Sequence, residues 1–298
     1  MKNTKKRMEV FSFYDHAGIS RHLEKMAAKG WMIERMSNFG WVYHRIDPKP
    51  VKFAVSYYPK ASEFDPEPTD EQKTFHEFCA HTGWKLACTS AQLQIFYNEQ
   101  ENPTPIETEP VLELQSIHAS AKKSFIPSYL LLLLISIMCG GLFVSGMLGD
   151  PIGQLASPVK LFTGLCYLVL LILCVVELIC YFRWYHKAKK LAEQGEFLKP
   201  VSTSRFQKVI LGAVIIGFIY WGISFIFTVD KLRRWIGIVM CFYMPLLILA
   251  VNATKNALKK RKASRGVNRT ITILVDFILA FALMGLITFG TLKLSSLG

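Results

Sequence analysis

The chain has 298 residues, 51% of them hydrophobic, and a formal net charge of +13. Residues 1–123 hold 16 basic and 16 acidic residues, so the remaining residues carry the whole excess of positive charge. A nucleic-acid-binding domain would carry its basic residues on the soluble part, so no direct nucleic-acid binding is expected. The basic residues instead lie in short links between apolar runs, where they set membrane topology.

Residues 1–97 are predicted to form a soluble, cytosolic α+β domain with an internal repeat. A helix that ends at a glycine and a strand that begins at a tryptophan occur twice, as Gly30-Trp31 and Gly83-Trp84. A glycine at this position suits the left-handed conformation that ends many helices. Each copy therefore reads strand, helix, strand, strand. Two such units predict a ferredoxin-like plait, with the helices on one face of an antiparallel sheet.

The sequence predicts an aromatic strand before each helix, at Val10–Tyr14 in the first copy and at Phe53–Tyr58 in the second. Residues 98–122 follow the second copy and read as an acidic, proline-containing linker. Its first part, Asn98–Glu113, is predicted to be extended because it combines several prolines with acidic residues.

Three stretches of this head resemble a known family: Phe11–Asp15, Leu23–Trp31 and Gly83-Trp84. They resemble an uncharacterised bacterial membrane family, catalogued as domain of unknown function 2812 and found mainly in Gram-positive bacteria. The resemblance implies a soluble head followed by several membrane helices, and it supplies no catalytic residues. Members of this family are often encoded beside PadR-like transcriptional regulators, which implies a regulatory or stress-response role by association only.

Residues 123–298 are predicted to form an all-α transmembrane bundle, because a spanning helix needs about 20 mostly apolar residues. The five predicted membrane helices lie at about 125–148, 159–182, 209–229, 235–251 and 271–292. Lys and Arg are concentrated in alternate links. This pattern predicts a cytosolic N-terminus and an outside C-terminus. The family resemblance implies that the membrane is a bacterial inner membrane. The link Asp230–Arg234 disagrees, since it is predicted to lie outside and yet contains three basic residues.

The two most basic links are predicted to lie at the cytosolic surface and to contact anionic lipid. Their lipid-facing residues are predicted to be Lys187, Lys189, Lys190, Lys259, Lys260, Arg261 and Lys262. The stretch Trp184–Pro200 has two interpretations. A cytosolic extension of the second membrane helix is favoured because the apolar stripe is thin; the alternative is an interfacial helix resting on lipid.

Glu177 and Asp276 are the two acidic residues inside the predicted membrane helices, where ionisable side chains are functional candidates. Both lie towards predicted cytosolic ends. Contact with interfacial water or with a basic residue is therefore the favoured interpretation. The alternative is a proton or cation relay between the second and fifth membrane helices.

The sequence contains no recognised phosphate-binding, dinucleotide-binding, zinc or hydrolase motif. We therefore predict no catalytic, cofactor-binding or metal-binding residues and expect a protein that is not an enzyme. In the head, Trp31 and Trp84 are predicted to be core residues. Trp41, Tyr43 and Tyr57 are candidates for contact with a ligand or partner, and Trp41 is the one expected to be exposed, because it aligns with a polar residue of the second copy.

Two classes of function fit this organisation. The first is a non-enzymatic sensor or regulatory membrane protein, whose cytosolic head binds a protein or small ligand while its helices register the state of the membrane. The alternative is a transporter, or a subunit of a transporter or complex, that uses Glu177 and Asp276. Five helices are an awkward number for an inverted-repeat carrier, although a homo-oligomer would restore symmetry. A membrane-embedded enzyme is a third class without a nominated nucleophile.

Overall fold

The structure is a computed structural model that describes residues 3–37, 40–228 and 231–295. The chain forms two compact units. The first unit consists of Met1–Ala61, Thr69–Ala156 and Lys160–Ile215. The second unit consists of Ser62–Pro68, Ser157–Val159 and Ile216–Gly298.

Two three-stranded antiparallel sheets form the N-terminal part of the first unit, with strand orders β1-β3-β2 and β4-β6-β5. Their strands are β1 Thr4–Arg7, β2 Trp31–Arg35, β3 Trp41–Arg45, β4 Lys52–Tyr57, β5 Lys85–Ser90 and β6 Leu93–Asn98. Helix α1 (His16–Ala27) connects β1 to β2, and α2 (Asp70–His81) connects β4 to β5. The predicted order of strand, helix, strand, strand is present twice. A single plait is not confirmed, because the strands pair within two separate sheets.

The strand predicted at Val10–Tyr14 is wrong. The first strand lies earlier, at β1, and residues 10–14 lead directly into α1. Asp15 caps that helix, since its Oδ1 accepts the backbone N–H of Gly18 at 2.9 Å. The aromatic alternation has another origin: Phe11 packs on the core of the head, whereas Tyr14 packs on the helices that follow the head.

The head has a main hydrophobic core that both sheets share. Helix α1 contacts β2 and β4, and the core includes Leu23, Ile33, Tyr43, Phe53 and Ile95. A smaller cluster beside α2 consists of Cys79, Trp84 and Phe96.

One of the two predicted core tryptophans is buried and the other is not. Trp84 is buried, and its indole N–H donates to the carbonyl oxygen of Thr104 at 2.8 Å. Trp31 packs against the main core but is only half-buried, so it lies at the edge of that core and not inside it. Its ring lies between Lys5 Nζ at 5.2 Å and the guanidinium carbon of Arg45 at 5.1 Å. The two cations therefore hold it by cation–π contact at the edge of the first sheet.

The predicted linker is helical in its second part. Residues 99–109 form neither helix nor strand, but α3 extends from Pro110 to Lys123. A proline in the first turn suits a helix start, because the missing N–H would have no partner inside the helix. Leu114, Ile117 and Ala121 are buried on one side of α3, and this burial orders a segment that the sequence predicts to be part of a linker.

Six further helices follow α3 in the described part of the chain. They are α4 Phe125–Gly149, α5 Pro151–Leu155, α6 Pro158–Ala192, α7 Ser204–Thr228, α8 Lys231–Lys260 and α9 Arg265–Ser295. Four stretches of helix in the described residues are long and apolar enough to cross a membrane: Pro110–Gly149, Val159–Ala192, Arg234–Lys260 and Arg265–Lys293. These four helices support the prediction of a multi-pass membrane protein.

The third predicted membrane helix, at 209–229, is not confirmed as a membrane span. Its sequence falls in α7, which is helical but is not among the four candidate spans. The link Asp230–Arg234 begins outside the described residues, so the side of the membrane on which it lies stays a prediction.

Helix α6 is longer than a bilayer requires. Its 35 residues give a length of about 52 Å at 1.5 Å per residue, whereas the hydrocarbon core of a bilayer is about 30 Å thick. Its last turns bury Trp184, Ala188 and Ala192. The stretch from Trp184 to Ala192 therefore continues the second membrane helix, which confirms the favoured interpretation of this region as a helical extension.

The second unit contains a hairpin of α8 and α9. The turn between these helices is short, and the hydroxyl of Tyr243 on α8 donates to the carbonyl oxygen of Leu279 on α9 at 2.7 Å. Helix α8 continues through Pro245. The loop Ser62–Pro68, which connects β4 to α2 in sequence, also belongs to this unit.

Gly30→Ala is expected to destabilise the hairpin of β2 and β3. Gly30 has a φ of +78°, and a Cβ at this position would lie 2.8 Å from the carbonyl oxygen of Ile46. The left-handed backbone alone costs about 1–2 kcal/mol, and displacing the carbonyl adds to it. Gly195→Ala is the matched control, because Gly195 has a φ of +79° and open space around it. Hydrogen exchange of the flanking segments in the full-length protein measures both, and equal losses would contradict this account.

Candidate functional site

Aromatic side chains join the head to the helices that follow it. The aromatic junction is defined here as Phe13, Tyr14, Phe125, Tyr181 and Trp184. The ring of Tyr14 stacks on Trp184 with a centroid distance of 5.4 Å and meets Tyr181 edge-on at 5.2 Å. Phe125, the first residue of α4, lies 5.2 Å from Tyr181 and 6.0 Å from Phe13. The head therefore packs directly on α4 and α6.

Hydrogen bonds fix the polar atoms at the edges of this junction. The Tyr57 hydroxyl donates to the carbonyl oxygen of Phe13 at 2.6 Å, and the Trp184 indole N–H donates to the carbonyl oxygen of Leu198 at 3.0 Å. Burial raises the pKa of the Tyr57 phenol, so this group stays a donor. The ring of His118 on α3 stacks on Tyr185 with a centroid distance of 3.9 Å. Three helices and the segment before α1 are thereby held in one arrangement.

Glu177 lies beside this junction in a fully buried polar cluster. The Glu177 cluster is defined here as Ser12, Glu177, Thr203 and Gln207, and all four side chains are buried. Glu177 Oε2 accepts from Ser12 Oγ at 2.7 Å, and Oε1 accepts from Thr203 Oγ1 at 2.5 Å and from Gln207 Nε2 at 2.7 Å. The cluster therefore joins α6 to the segment before α1 and to the start of α7.

Neutral donors surround the Glu177 carboxyl group. Within the described part of the chain, no basic side chain lies within ion-pair distance of it. The predicted contact with water or a basic residue is therefore replaced by hydrogen bonds inside the protein. An ionised carboxylate buried without a cation is costly, even when it accepts several hydrogen bonds.

The two hydroxyl groups of the cluster also contact each other. Ser12 Oγ and Thr203 Oγ1 each donate to the Glu177 carboxyl group, and they lie 2.5 Å from each other. Gln207 Nε2 donates to Ser12 Oγ at 3.0 Å as well as to Glu177. The four side chains therefore form one closed hydrogen-bonded network.

Asp276, the second predicted intramembrane acid, lies on α9 in the second unit. Its side chain is exposed on the helix surface, in contrast to the buried Glu177. The relay that the sequence predicts as an alternative, between the second and fifth membrane helices, remains a prediction.

All three candidate contact residues of the head are buried. Trp41 stacks on Phe11 with a centroid distance of 5.6 Å, and the prediction that it is exposed is wrong, because the segment before α1 covers it. Tyr43 is fully buried, with its hydroxyl 3.3 Å from His22 Nε2. Tyr57 is buried at the aromatic junction, where its hydroxyl donates to the carbonyl oxygen of Phe13.

Glu9 lies between two basic side chains, Arg7 and His22, beside Tyr43 at the edge of the head core. Glu9 Oε1 lies 3.1 Å from both His22 Nε2 and Arg7 Nε, without the alignment of a hydrogen bond. Burial lowers the pKa of the His22 imidazole, and the charges of Arg7 and Lys208 lower it further, whereas Glu9 opposes the shift. The imidazole is therefore held in its neutral form at neutral pH.

The predicted lipid-facing basic residues have different surroundings. Lys187, Lys189 and Lys190 are exposed on the last turns of α6. Lys260 and Arg261 are exposed at the end of α8, and Lys259 is half-buried there. Lys262 forms an ion pair with Glu67 of the loop Ser62–Pro68 at 2.8 Å. The last basic link thus contacts an acidic segment of the chain that sequence analysis overlooked.

The thiols of the head are weak nucleophiles. Burial raises the pKa of Cys79 to about 11 and that of Cys88 to about 12, so both remain protonated at neutral pH. Within residues 3–37, 40–228 and 231–295, no group of three or more His, Cys, Asp or Glu side chains is placed to hold a metal ion.

Sequence reasoning identified Glu177 but missed its three partners. Ser12 lies inside the aromatic motif Phe11–Asp15, where its small polar side chain is the one signal for a buried contact. Thr203 and Gln207 lie in a link that was assigned to the membrane surface by its basic residues. Their contacts with Glu177 depend on long-range packing, which no local pattern reports.

Residues 16–128 match the model of the family described as "Protein of unknown function (DUF2812)". This match confirms the resemblance that the head motifs predict. It extends from the first turn of α1 to the start of α4, so it includes α3 as well as most of both sheets. No curated protein and no solved structure matches the chain. The family description assigns no activity, so the function must be argued from the geometry.

Glu177→Gln is expected to preserve the Glu177 cluster, whereas Glu177→Ala is expected to disrupt it. A glutamine amide has the same shape as the carboxyl group: its oxygen can accept from Thr203 and its NH2 group can donate to Ser12 Oγ, so the stability should change by less than about 1 kcal/mol. Alanine leaves three buried polar groups without their partner, which should cost about 3 kcal/mol or more. Thermal unfolding of the full-length protein in detergent distinguishes the two. Equal losses for both variants would show that an amide cannot replace the carboxyl group in this cluster.

Lowering the pH is expected to destabilise the head through His22. Because its pKa in the folded protein lies below the ordinary value of about 6.5, the unfolded chain binds the proton first. Stability is therefore constant above this value and falls as the pH drops below it. Hydrogen exchange of β3, measured between pH 7 and 5, should accelerate in the wild type and change less in His22→Gln. His81→Gln, at an exposed position, is the control; the same acceleration in all three proteins would refute the assignment.

Proposed function

We propose that this chain is a non-enzymatic sensor or regulatory protein of a bacterial inner membrane. Its head is cytosolic and binds a protein or a small ligand, and its C-terminus lies outside; this orientation needs an odd number of spans, so the proposal includes α7 as a fifth membrane helix. The observation that carries the proposal is the aromatic junction, through which the head packs on α4 and α6. A sensor needs a physical connection between the membrane helices and the binding domain, and this junction supplies one.

The connection is tight enough to transmit a change in the helices. Tyr14 is fully buried between Tyr181 and Trp184 of α6, and the segment that carries it is followed immediately by α1. A rotation or tilt of α6 therefore alters the surface on which Tyr14 packs. A ligand or membrane state that favours one arrangement of α6 would then shift the population of head arrangements by its difference in affinity.

The Glu177 cluster favours this proposal over transport. A carrier residue must exchange its proton or cation with water during each cycle. Glu177 is fully buried, and its two oxygens are occupied by donors from the segment before α1 and from the link to α7. This environment suits a structural connection between α6, α7 and the segment before α1, and not a group that exchanges a proton or cation with water in every cycle.

The binding partner of the head is proposed to be a cytosolic protein with a regulatory role. The PadR-like neighbourhood implied by the family resemblance is the basis for this choice. Homo-oligomer formation through exposed apolar helix faces is compatible with the proposal, which requires only that the head and α6 move together.

Trp184→Ala is expected to weaken partner capture by the head although it lies outside the head itself. Removing the indole opens a cavity under Tyr14, which typically costs about 3–5 kcal/mol and loosens the junction. Cross-linking in native membranes, followed by affinity purification of the full-length protein, measures the yield of the captured cytosolic protein. The yield should fall severalfold relative to the wild type.

Ile179→Ala is the matched control, because Ile179 is exposed on the same helix and makes no part of the junction. It should capture the partner as well as the wild type does. Failure of the wild type to capture any specific protein or small ligand would refute the sensor proposal. Unchanged capture by Trp184→Ala would show that the head binds independently of α6.

A further inference from the structure

The turn between α8 and α9 is a strongly basic surface on which an acidic loop is bound. Three acidic side chains of the loop Ser62–Pro68 each form an ion pair with a basic residue at the ends of the two helices. The pairs are Glu63 with Lys255 at 2.8 Å, Asp65 with Arg265 at 2.5 Å, and Glu67 with Lys262 at 2.8 Å. Every acidic residue of the loop is therefore engaged with this turn.

The loop is also held through its backbone. The fully buried Asn268 on α9 donates from Nδ2 to the carbonyl oxygen of Phe64 at 3.0 Å. Arg265 donates to Asp65 from two nitrogen atoms: Nε donates to Oδ1, and Nη2 donates to Oδ2 at 2.8 Å. Such a two-pronged contact is the geometry in which arginine recognises carboxylate and phosphate groups. The turn is therefore shaped to accept anionic groups.

The loop does not neutralise the turn. Within the described part of the chain, no ion pair is formed by three further basic residues of the turn: Lys260, Arg261 and Arg269. Lys259 lies close enough to Glu63 and Asp65 to interact with their charges. Lys260, Arg261 and Arg269 are exposed. The turn thus keeps a net positive charge while the loop is bound, and it attracts additional anions.

The position of the turn indicates which kind of anion it would bind. It connects two helices that are long and apolar enough to cross a membrane, so it lies where those helices leave the hydrocarbon core. Phosphate groups of phospholipids occupy that level of the bilayer. Clustered Lys and Arg beside a membrane helix attract anionic headgroups, and each adds to the affinity.

We propose that the α8–α9 turn is a binding surface for the phosphate groups of anionic phospholipids, and that the loop Ser62–Pro68 is an internal competitor that these lipids displace. The inference rests on the proposed function in that it names the ligand to which the sensor responds. The loop connects β4 to α2 in sequence, so its release changes the constraint on both elements of the head.

The outer part of the contact is weak enough to be exchanged. Glu67 and Lys262 are both at least half exposed, so water and salt screen this ion pair, and it should change the population of the bound loop by no more than about fivefold. Lys255 and Asp65 are mostly covered, with 15% and 13% of their side chains exposed, so the other two pairs are screened less. Lipid phosphates therefore displace the loop by binding Lys255 and Arg265 in place of its carboxylates.

The test is hydrogen exchange of residues 62–68 in the full-length protein, reconstituted in nanodiscs of phosphatidylcholine alone or with phosphatidylglycerol. We expect exchange to be about five to ten times faster in the anionic nanodiscs, because the loop is displaced. Soluble glycerol phosphate, added to phosphatidylcholine nanodiscs at matched ionic strength, should not reproduce the effect. Its success would identify a site for free phosphate esters instead of lipid.

Two variants separate the roles of the two surfaces. Lys260→Gln with Arg261→Gln removes exposed charges that take no part in the ion pairs of the loop, so the loop should stay protected in phosphatidylcholine while its response to anionic lipid shrinks. Asp65→Asn with Glu67→Gln should release the loop in both lipids. Lys73→Gln with Lys85→Gln, at exposed positions of the head, is the control and should behave as the wild type.

Equal exchange of the loop in the two nanodiscs, or slower exchange in the anionic one, would overturn the proposal. These results concern the loop alone and leave the capture of a partner by the head unaffected. Conversely, displacement of the loop by anionic lipid without any captured partner would support the lipid surface and reject the sensor function. The two proposals can therefore fail separately.

Discussion

The length of α6 is the constraint on which the first unit depends. A helix of 35 residues is about 20 Å longer than a bilayer core of about 30 Å, so its last turns must find another apolar environment. Those turns carry Tyr181, Trp184 and Ala188, all of which are buried. The head and α3 cover them. The order of α3, the position of Tyr14 and the direct packing of the head on α6 all follow from this need.

The same constraint explains why a buried acid is tolerated at Glu177. The residue lies where α6 leaves its most apolar stretch and meets the segment before α1, which presents Phe11, Ser12 and Tyr14 in turn. Phe11 packs on the head core, Ser12 donates to Glu177, and Tyr14 packs on α6. One short segment thus contributes one side chain each to the head core, to the Glu177 cluster and to the aromatic junction. A disturbance at any of the three affects the other two.

Local patterns in the sequence predict the elements whose partners are also local. Both helices of the head, the glycines that end them and the strands β2 to β6 follow from periodicity and turn chemistry. The errors arise where distant residues decide. Val10–Tyr14 alternates like a strand, but its aromatic residues pack on different surfaces. Residues 110–122 look like a linker until α6 buries Leu114 and Ile117. Likewise, Glu177 is visible in the sequence, whereas Thr203 and Gln207 become its partners only through the return of the chain after α6.

The distribution of charge gives a misleading impression when it is summed by region. The first 123 residues are neutral in total, yet three of their acidic residues are collected in the loop Ser62–Pro68 and contact the basic turn between α8 and α9. A basic link beside a membrane helix is usually assigned to lipid alone. Here an internal anion already occupies part of that surface. Under the lipid-binding proposal, the affinity of the turn for lipid is a difference between two competing contacts, and this difference would make the turn sensitive to the composition of the membrane.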